Sequence, residues 1–195
     1  MRLLSRGAEA EIYTVKFIGN RVAAKVRGRK EYRVEELDTE LREGRTKREA
    51  RCMERAHRAG VPVPRLIACS RFTLYFEILE GVALKDLESI PEGIPQEIGR
   101  ILAKLHDSGV IHGDFTTANL MLAENGLSII DFGLSEITKS VEGRAIDLLL
   151  IKRSLGKGYR ALEQSYVKSC SEGDVVVSKL KEIEKRGRYQ IRTIT

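Results

Sequence analysis

His112-Gly113-Asp114 is followed five positions later by Asn119, and then by Asp131-Phe132-Gly133. Transfer of a phosphoryl group requires a carboxylate beside the attacking oxygen and hard oxygen donors that hold magnesium against phosphates. Asp114, Asn119 and Asp131 supply that set. Taken singly, Asp and Asn also cap loops, and a chance D-x-x-x-x-N or D-F-G is common. Here both occur within twenty residues, each beside an apolar strand-like run.

A cation for such a site is offered by Lys25, which ends the run Val22-Ala23-Ala24-Lys25. Its expected partner is Glu49. On a helix this residue shares a face with Cys52, Met53 and Ala56 at i+3, i+4 and i+7. A carboxylate on the apolar side of a helix needs a cation. Glu43 is the rival, but Lys47 stands four residues on, which reads as an exposed helix pair.

The elements that must position these groups begin with two strands, Ala10 to Ile18 and Arg21 to Val26, joined across Gly19-Asn20 as a hairpin. Arg27 to Leu37 is densely charged without a period and reads as a loop. Thr39 to Ala59 favours a helix stopped by Gly60 and the prolines of VPVP. Strands follow at Leu66 to Ser70 and Thr73 to Leu79. Beyond Glu80-Gly81, Ile98, Ile101, Leu102 and Leu105 form one apolar helix face ending near Gly109. VIHGDF, NLML and LSIIDFG read as short strands and tight loops, and further helices are expected over Ile146 to Leu155, Tyr159 to Lys168 and Val176 to Lys185. Strands with one helix, then mostly helices, imply an α+β fold of two lobes with a boundary near Glu80.

At 195 residues, 42% hydrophobic and 32% charged, the chain suits a globular protein rather than a disordered or membrane one. No apolar run approaches a membrane span, and MRLLSRGAEAEIY lacks the apolar centre of a secretory signal, so a cytoplasmic address is expected. Cys52, Cys69 and Cys170 are odd in number and widely spaced, which fits reduced packing residues rather than disulfides or zinc ligands. A net charge of +6 makes an anionic partner plausible. Arg27, Arg29, Lys30 and Arg33, with Lys179, Lys181, Lys185, Arg186, Arg188 and Arg192 near the C-terminus, are candidates for phosphate contacts; a solvated helix face is the plainer reading of the tail.

The paired motifs resemble the protein-kinase superfamily, with its H-x-D-x-x-x-x-N catalytic loop, D-F-G turn and V-A-I-K strand. That resemblance implies ATP and Mg²⁺, with Asp114 orienting or deprotonating the nucleophile, Asn119 and Asp131 on metal, and Lys25 on phosphates beside Glu49. Ser5-Arg6-Gly7-Ala8-Glu9-Ala10-Glu11-Ile12 stands in the place of the kinase glycine loop with one of its three glycines. Ser5, Gly7 and Ala10 would then cover the phosphates, although alone this stretch reads as a β-turn. Ile12, Ala23 and Met121 would sandwich adenine, the backbone of Glu77 and Leu79 would bond its edge, and Asp147 would accept hydrogen bonds from the catalytic-loop backbone.

The departures narrow the resemblance. Gly113 replaces the usual arginine, Thr116 replaces a common lysine, no A-P-E follows, and only sixteen positions separate Asp131 from Asp147, too few for a peptide platform. H-G-D-F-T-T-A-N, D-F-G-L-S, R-G-A-E-A, K-x-Y-R-x-x-x-L-D from Lys30 to Asp38 and R-T-x-x-E-A from Arg45 to Ala50 together resemble the minimal kinases of the KEOPS complex, related to PRPK and RIO-type atypical kinases. The likeness runs from Ser5 to about Leu155. It implies one kinase-like domain over residues 1–195, with a β-rich N-lobe to about 80 carrying one main helix and a reduced helical C-lobe from 81. It also implies a serine/threonine kinase or ATPase that docks on a Kae-type threonylcarbamoyl transferase and other KEOPS-type subunits, contacts tRNA weakly and serves threonylcarbamoyl modification of tRNA adenosine. Two other readings stay open: a basic adaptor with a vestigial site, and a small-molecule kinase of the aminoglycoside or choline type, for which the short C-terminal part leaves little chain.

Overall fold

The computed structural model describes residues 1–192, with side chains through Arg186. Strands β1 (Arg2–Arg6), β2 (Glu11–Phe17), β3 (Asn20–Val26), β4 (Leu66–Cys69) and β5 (Thr73–Phe76) form one antiparallel sheet in the order β1-β2-β3-β5-β4. β1 escapes sequence reading because it is exposed along its whole length, an edge strand with no buried face to leave a period. The β2–β3 turn falls one residue earlier than expected. Phe17 pairs with Asn20, so Ile18 and Gly19 form the loop with φ of +49° and +81°. Two-residue turns with positive φ at both positions match the twist of a hairpin. Ile18 carries its positive φ at an exposed turn, and the register that results sets Lys25 opposite Ile12.

Helix α1 (Glu35–Arg58) begins four residues before the expected Thr39, with Glu35, Glu36 and Asp38 in its first turn favouring the macrodipole. The charged excursion is accordingly shorter, ending at Val34. Past β5 the chain crosses residues 77–80 into the second lobe. There β6 (Gly81–Ala83), β8 (Leu120–Ala123) and β9 (Gly126–Ile129) form a small sheet, and β7 (Val110–Ile111) pairs with β10 (Glu136–Ile137). Helices α2 (Ile94–Asp107), α3 (Val141–Leu155), α4 (Tyr159–Ser169) and α5 (Gly173–Arg192) make up the rest. α3 starts before the expected Ile146 because the Ser140 hydroxyl accepts a 3.1 Å hydrogen bond from the Gly143 amide as an N-cap.

The expected apolar face of α2 packs inward against α4: Ile98, Leu102 and Leu105 are buried in one core cluster with Leu162 and Tyr166 of α4 and Leu148 and Ile151 of α3. Each such side chain contributes about 1.5–3 kcal/mol, which gives the second lobe a firm base beneath the loops that follow β7 and β9. Among the described residues no helix is long and apolar enough to cross a membrane. The cysteines are free; Cys52 and Cys170 are buried, whereas Cys69 is exposed on β4 and does not serve as the packing residue expected.

Candidate active site

β3 presents alternate side chains to one face, and Lys25 uses that face to reach across the cleft. Its Nζ donates to Glu49 Oε1 on α1 at 2.8 Å and to Asp131 Oδ1 at 2.7 Å. Glu49 is 2% exposed and needs compensation for its charge. Its second oxygen pairs with Arg27, two residues beyond Lys25 on the chain and buried. Arg27 Nη1 also donates to Thr46 Oγ1 at 3.3 Å, while its Nε has no partner among the described residues. The sequence places Arg27 in a charged loop and among candidate phosphate contacts of tRNA; in the structure it faces inward instead. The missed signal was its period-two relation to Lys25. Glu43 bonds Lys47 at 2.5 Å and Arg71 at 3.0 Å, the surface pairing expected of it.

The catalytic-loop segment is held from behind. His112 is buried against Phe115 and Phe132, with ring centroids 5.7 Å and 5.0 Å away. Its Nδ1 accepts from the Asp114 amide at 3.3 Å, so its Nε2 donates to the Ile130 carbonyl at 3.1 Å, which defines the neutral tautomer. Asp147 is fully buried and accepts from the His112 and Gly113 amides at 2.8 and 2.9 Å. It lies in the second turn of α3, so backbone bonding rather than helix-start electrostatics explains it. Gly113 has φ +81°, and a Cβ there would run into the Leu134 carbonyl; no arginine fits.

Asn119, at the end of a 3₁₀ turn (Thr117–Asn119), donates its amide nitrogen to the Asp114 carbonyl at 2.8 Å and to Asp114 Oδ2 at 2.9 Å. The amide oxygen is thereby left for a metal. Asp131 sits at φ +60°, uncommon for a residue with a side chain, and its Oδ1 accepts from the Gly133 amide at 3.1 Å as well as from Lys25. Burial raises its carboxyl pKa, but the charge and hydrogen bond of Lys25 and the Gly133 amide outweigh this and hold it below the usual carboxylate range. Among the described residues no cluster of three His, Cys, Asp or Glu side chains could hold a metal by itself. Two protein oxygens, completed by phosphates and water, suit Mg²⁺, which rarely takes an all-protein cage.

Between the lobes lies a cavity of about 260 Å³. Ser5, Gly7, Ala10, Ile12, Lys25, Asp114 and Asp131 all line it, together with Glu9, Arg27 and Arg45. The β1–β2 turn covers it, closed by a 2.9 Å bond from the Gly7 amide to the Ala10 carbonyl. Ile12 stands opposite Lys25 in the β2–β3 register. Six sequence candidates are not lining residues: Glu49 is buried on α1 behind Lys25, Asn119 is half-buried beside Asp114, Ala23 is buried on β3, Met121 lies half-buried on β8, and Glu77 and Leu79 lie in the crossing after β5. The Glu77 amide donates to the Arg65 carbonyl at 3.0 Å. Arg45, which figures in the sequence only within a family motif and with no role in the site, stands four residues before Glu49 on the same side of α1.

Residues 12–150 match the family described as RIO domain. The KEOPS complex subunit Bud32 of Pyrococcus abyssi is 37% identical, over 99% of this chain and 98% of its own. A probable serine/threonine-protein kinase BUD32 homolog of Archaeoglobus fulgidus is 40% identical over 94% of each chain. A probable bifunctional tRNA threonylcarbamoyladenosine biosynthesis protein of Methanosarcina mazei is 37% identical over 96% of this chain, which spans 35% of that protein. The crystal structure of the Rio2 kinase-ADP/Mg²⁺-phosphoaspartate complex from Chaetomium thermophilum shares the fold, with a TM-score of 0.63, 18% identity, and coverage of 97% of this chain and 72% of that one.

Proposed function

The chain belongs to the RIO domain family, and from that premise we propose that it is a single-domain, ATP- and Mg²⁺-dependent phosphotransferase, a serine/threonine kinase or ATPase serving threonylcarbamoyl modification of tRNA. The observation that carries this reading is Lys25 held between Glu49 at 2.8 Å and Asp131 at 2.7 Å on a cavity that Asp114 also lines. In this reading Lys25 grips phosphates with its charge, Asn119 and Asp131 hold the metal, and Asp114 receives or orients the attacking hydroxyl. The metal, when bound, neutralises charge on the phosphates. Ser5, Gly7 and Ala10 exclude water from above, Ile12, Ala23 and Met121 contact the adenine, and the backbone of Glu77 and Leu79 reads its edge.

The expected setting is the cytoplasm, in a KEOPS-type assembly with a Kae-type transferase. Supporting tRNA contacts are narrower than the charge count suggests. Arg27 is buried, Lys30 donates to the Ala8 carbonyl at 2.6 Å, and Arg33 is ion-paired. Lys181, Lys185 and Arg186 are exposed on α5, while the side chains of Arg188 and Arg192 lie outside the described residues. Weak binding that falls steeply with salt is expected of such phosphate contacts.

The test is ATP turnover and phosphorylation of a generic protein substrate by wild-type and Asp114→Asn protein, with and without Mg²⁺ and with and without the Kae-type partner. Mg²⁺-dependent turnover lost in Asp114→Asn is expected. Equal turnover by a folded Asp114→Asn protein would sink the assignment.

A further inference from the structure

Three cations line the cavity, Lys25, Arg27 and Arg45. Arg27 is committed to Glu49 and Thr46 in the buried floor of the cleft, and Lys25 is bonded to buried Glu49 and to Asp131, whose side chain is half exposed. Arg45 differs in having its partner, Glu9, at the tip of the covering turn, and both side chains keep partial exposure, 35% and 48%. Arg33 Nη2 lies 3.5 Å from the other Glu9 oxygen, and Lys30 holds the neighbouring Ala8 carbonyl. Arg33 and Arg42 are in turn oriented around one fully buried acid. Asp38 lies 3.8 Å from Arg33, accepts from the Lys30 amide at 3.2 Å, and bonds Arg42 at 2.7 Å. Arg42 then donates to the Arg27 carbonyl at 3.2 Å, joining this cluster to the strand that bears Lys25.

The stretch from His112 to Asn119 brings no lysine or arginine to the cavity. A nucleotide carrying several negative charges would therefore meet two cations with an exchangeable carboxylate partner, Lys25 with Asp131 and Arg45 with Glu9, and of these only Arg45 has its partner on the covering turn. That partner is itself a carboxylate, and a carboxylate and a phosphate compete for the same bidentate arginine face.

We propose that Arg45, steadied by Arg33, is the ligand of the terminal phosphate of a bound nucleoside triphosphate, and that Glu9 occupies this anion site until the nucleotide displaces it. The inference rests on the nucleotide-site reading above and adds a self-competing latch to it. Entry of a triphosphate breaks the Glu9–Arg45 pair and releases the tip of the covering turn. A nucleotide that ends before the terminal phosphate leaves the pair in place, so the latch distinguishes triphosphate from diphosphate.

The experiment is calorimetric binding of ATP, ADP and AMP with Mg²⁺ to the full chain as wild type, Glu9→Gln, Arg45→Ala and the double variant. Glu9→Gln is expected to bind ATP about two- to fivefold more tightly, the size of a partly exposed ion pair removed from competition, and to leave ADP nearly unchanged. Arg45→Ala is expected to lose about tenfold for ATP and little for ADP, and the gain from Glu9→Gln should vanish in the double variant. Arg45→Lys, which keeps the charge without the planar fork, serves as the folding control and should fall between. If wild type binds ATP but Glu9→Gln binds it no better, or if ATP and ADP respond alike, the latch is wrong while the nucleotide site stands. If wild type binds none of the three nucleotides, the site reading fails and takes the latch with it.

Discussion

Glu49 bridges two buried cations, Lys25 and Arg27, and is itself almost wholly shielded from solvent. Removing one member of a buried ionic cluster typically costs about 3–5 kcal/mol because the remaining charge is left unpaired. Glu49→Ala is therefore expected to lower the urea unfolding free energy by that amount as well as to impair turnover, since Lys25 loses the contact that aims it. A variant as stable as wild type would mean Lys25 and Arg27 find other anions. Asn119→Ala and Asp131→Ala act differently. Both positions are partly exposed, so the protein should stay folded by circular dichroism while Mg²⁺-dependent turnover falls about a hundredfold or more. Retained turnover in folded Asp131→Ala would remove that residue from the metal site.

At the scale of elements, the decisive piece is the short return from Asp131 to α3. After Gly133 the chain at once pairs as β10 with β7, the Thr138 amide donates to the Gly109 carbonyl at 2.9 Å, and Ser140 caps α3. No length is left for a platform that positions a peptide hydroxyl, and positioning supplies much of a bound nucleophile's advantage. The isolated chain should phosphorylate generic peptides slowly and respond to a partner that covers the cleft mouth; fast, partner-independent phosphorylation of defined peptides would contradict this. The same return brings the Leu134 carbonyl against Gly113. Gly113→Ala combines positive-φ strain with that collision, so a loss of about 1–3 kcal/mol in stability is expected together with lower turnover. A neutral effect in thermal unfolding would mean the two loops separate easily.

Across the whole molecule, one buried polar chain ties three helices to the site. His106 on α2 donates from Nε2 to Asp147 on α3 at 3.2 Å and accepts at Nδ1 from the Tyr166 hydroxyl on α4 at 2.8 Å. Burial lowers the His106 pKa, outweighing the opposing pull of Asp147; Arg144 lowers it further, and Asp107 raises it. A histidine whose folded pKa lies below its unfolded one binds more protons when unfolded. Its contribution is full above the ordinary imidazole value and is lost as pH falls from there toward the folded pKa. Urea unfolding of wild type should therefore weaken between about pH 7 and pH 5, and His106→Gln, though less stable throughout, should show a shallower decline. An identical slope in the variant would assign the pH dependence to another group.

The catalytic motifs, the Lys25–Glu49 pairing, the apolar face of α2 and the two-lobed α+β order were legible in the sequence because each is a local pattern: fixed spacing, helical period, or strand alternation. Arg27 and Arg45 were not. In sequence Arg27 reads as part of a charged loop and Arg45 only as part of a motif, and only the packing of α1 against β4 and β5, with Glu49 and the covering turn brought alongside, turns them toward the cleft. β1 was illegible because an exposed edge strand leaves no apolar period, and the Ile18-Gly19 turn because register is set by which residues of β3 are buried, not by the turn's own preferences. The glycine at 113 looked like a lost arginine; the approach of the Leu134 carbonyl makes it a requirement. Spacing along a chain identifies groups able to do chemistry. The charges that remain available depend on long-range contacts, which exist only once the lobes are folded together.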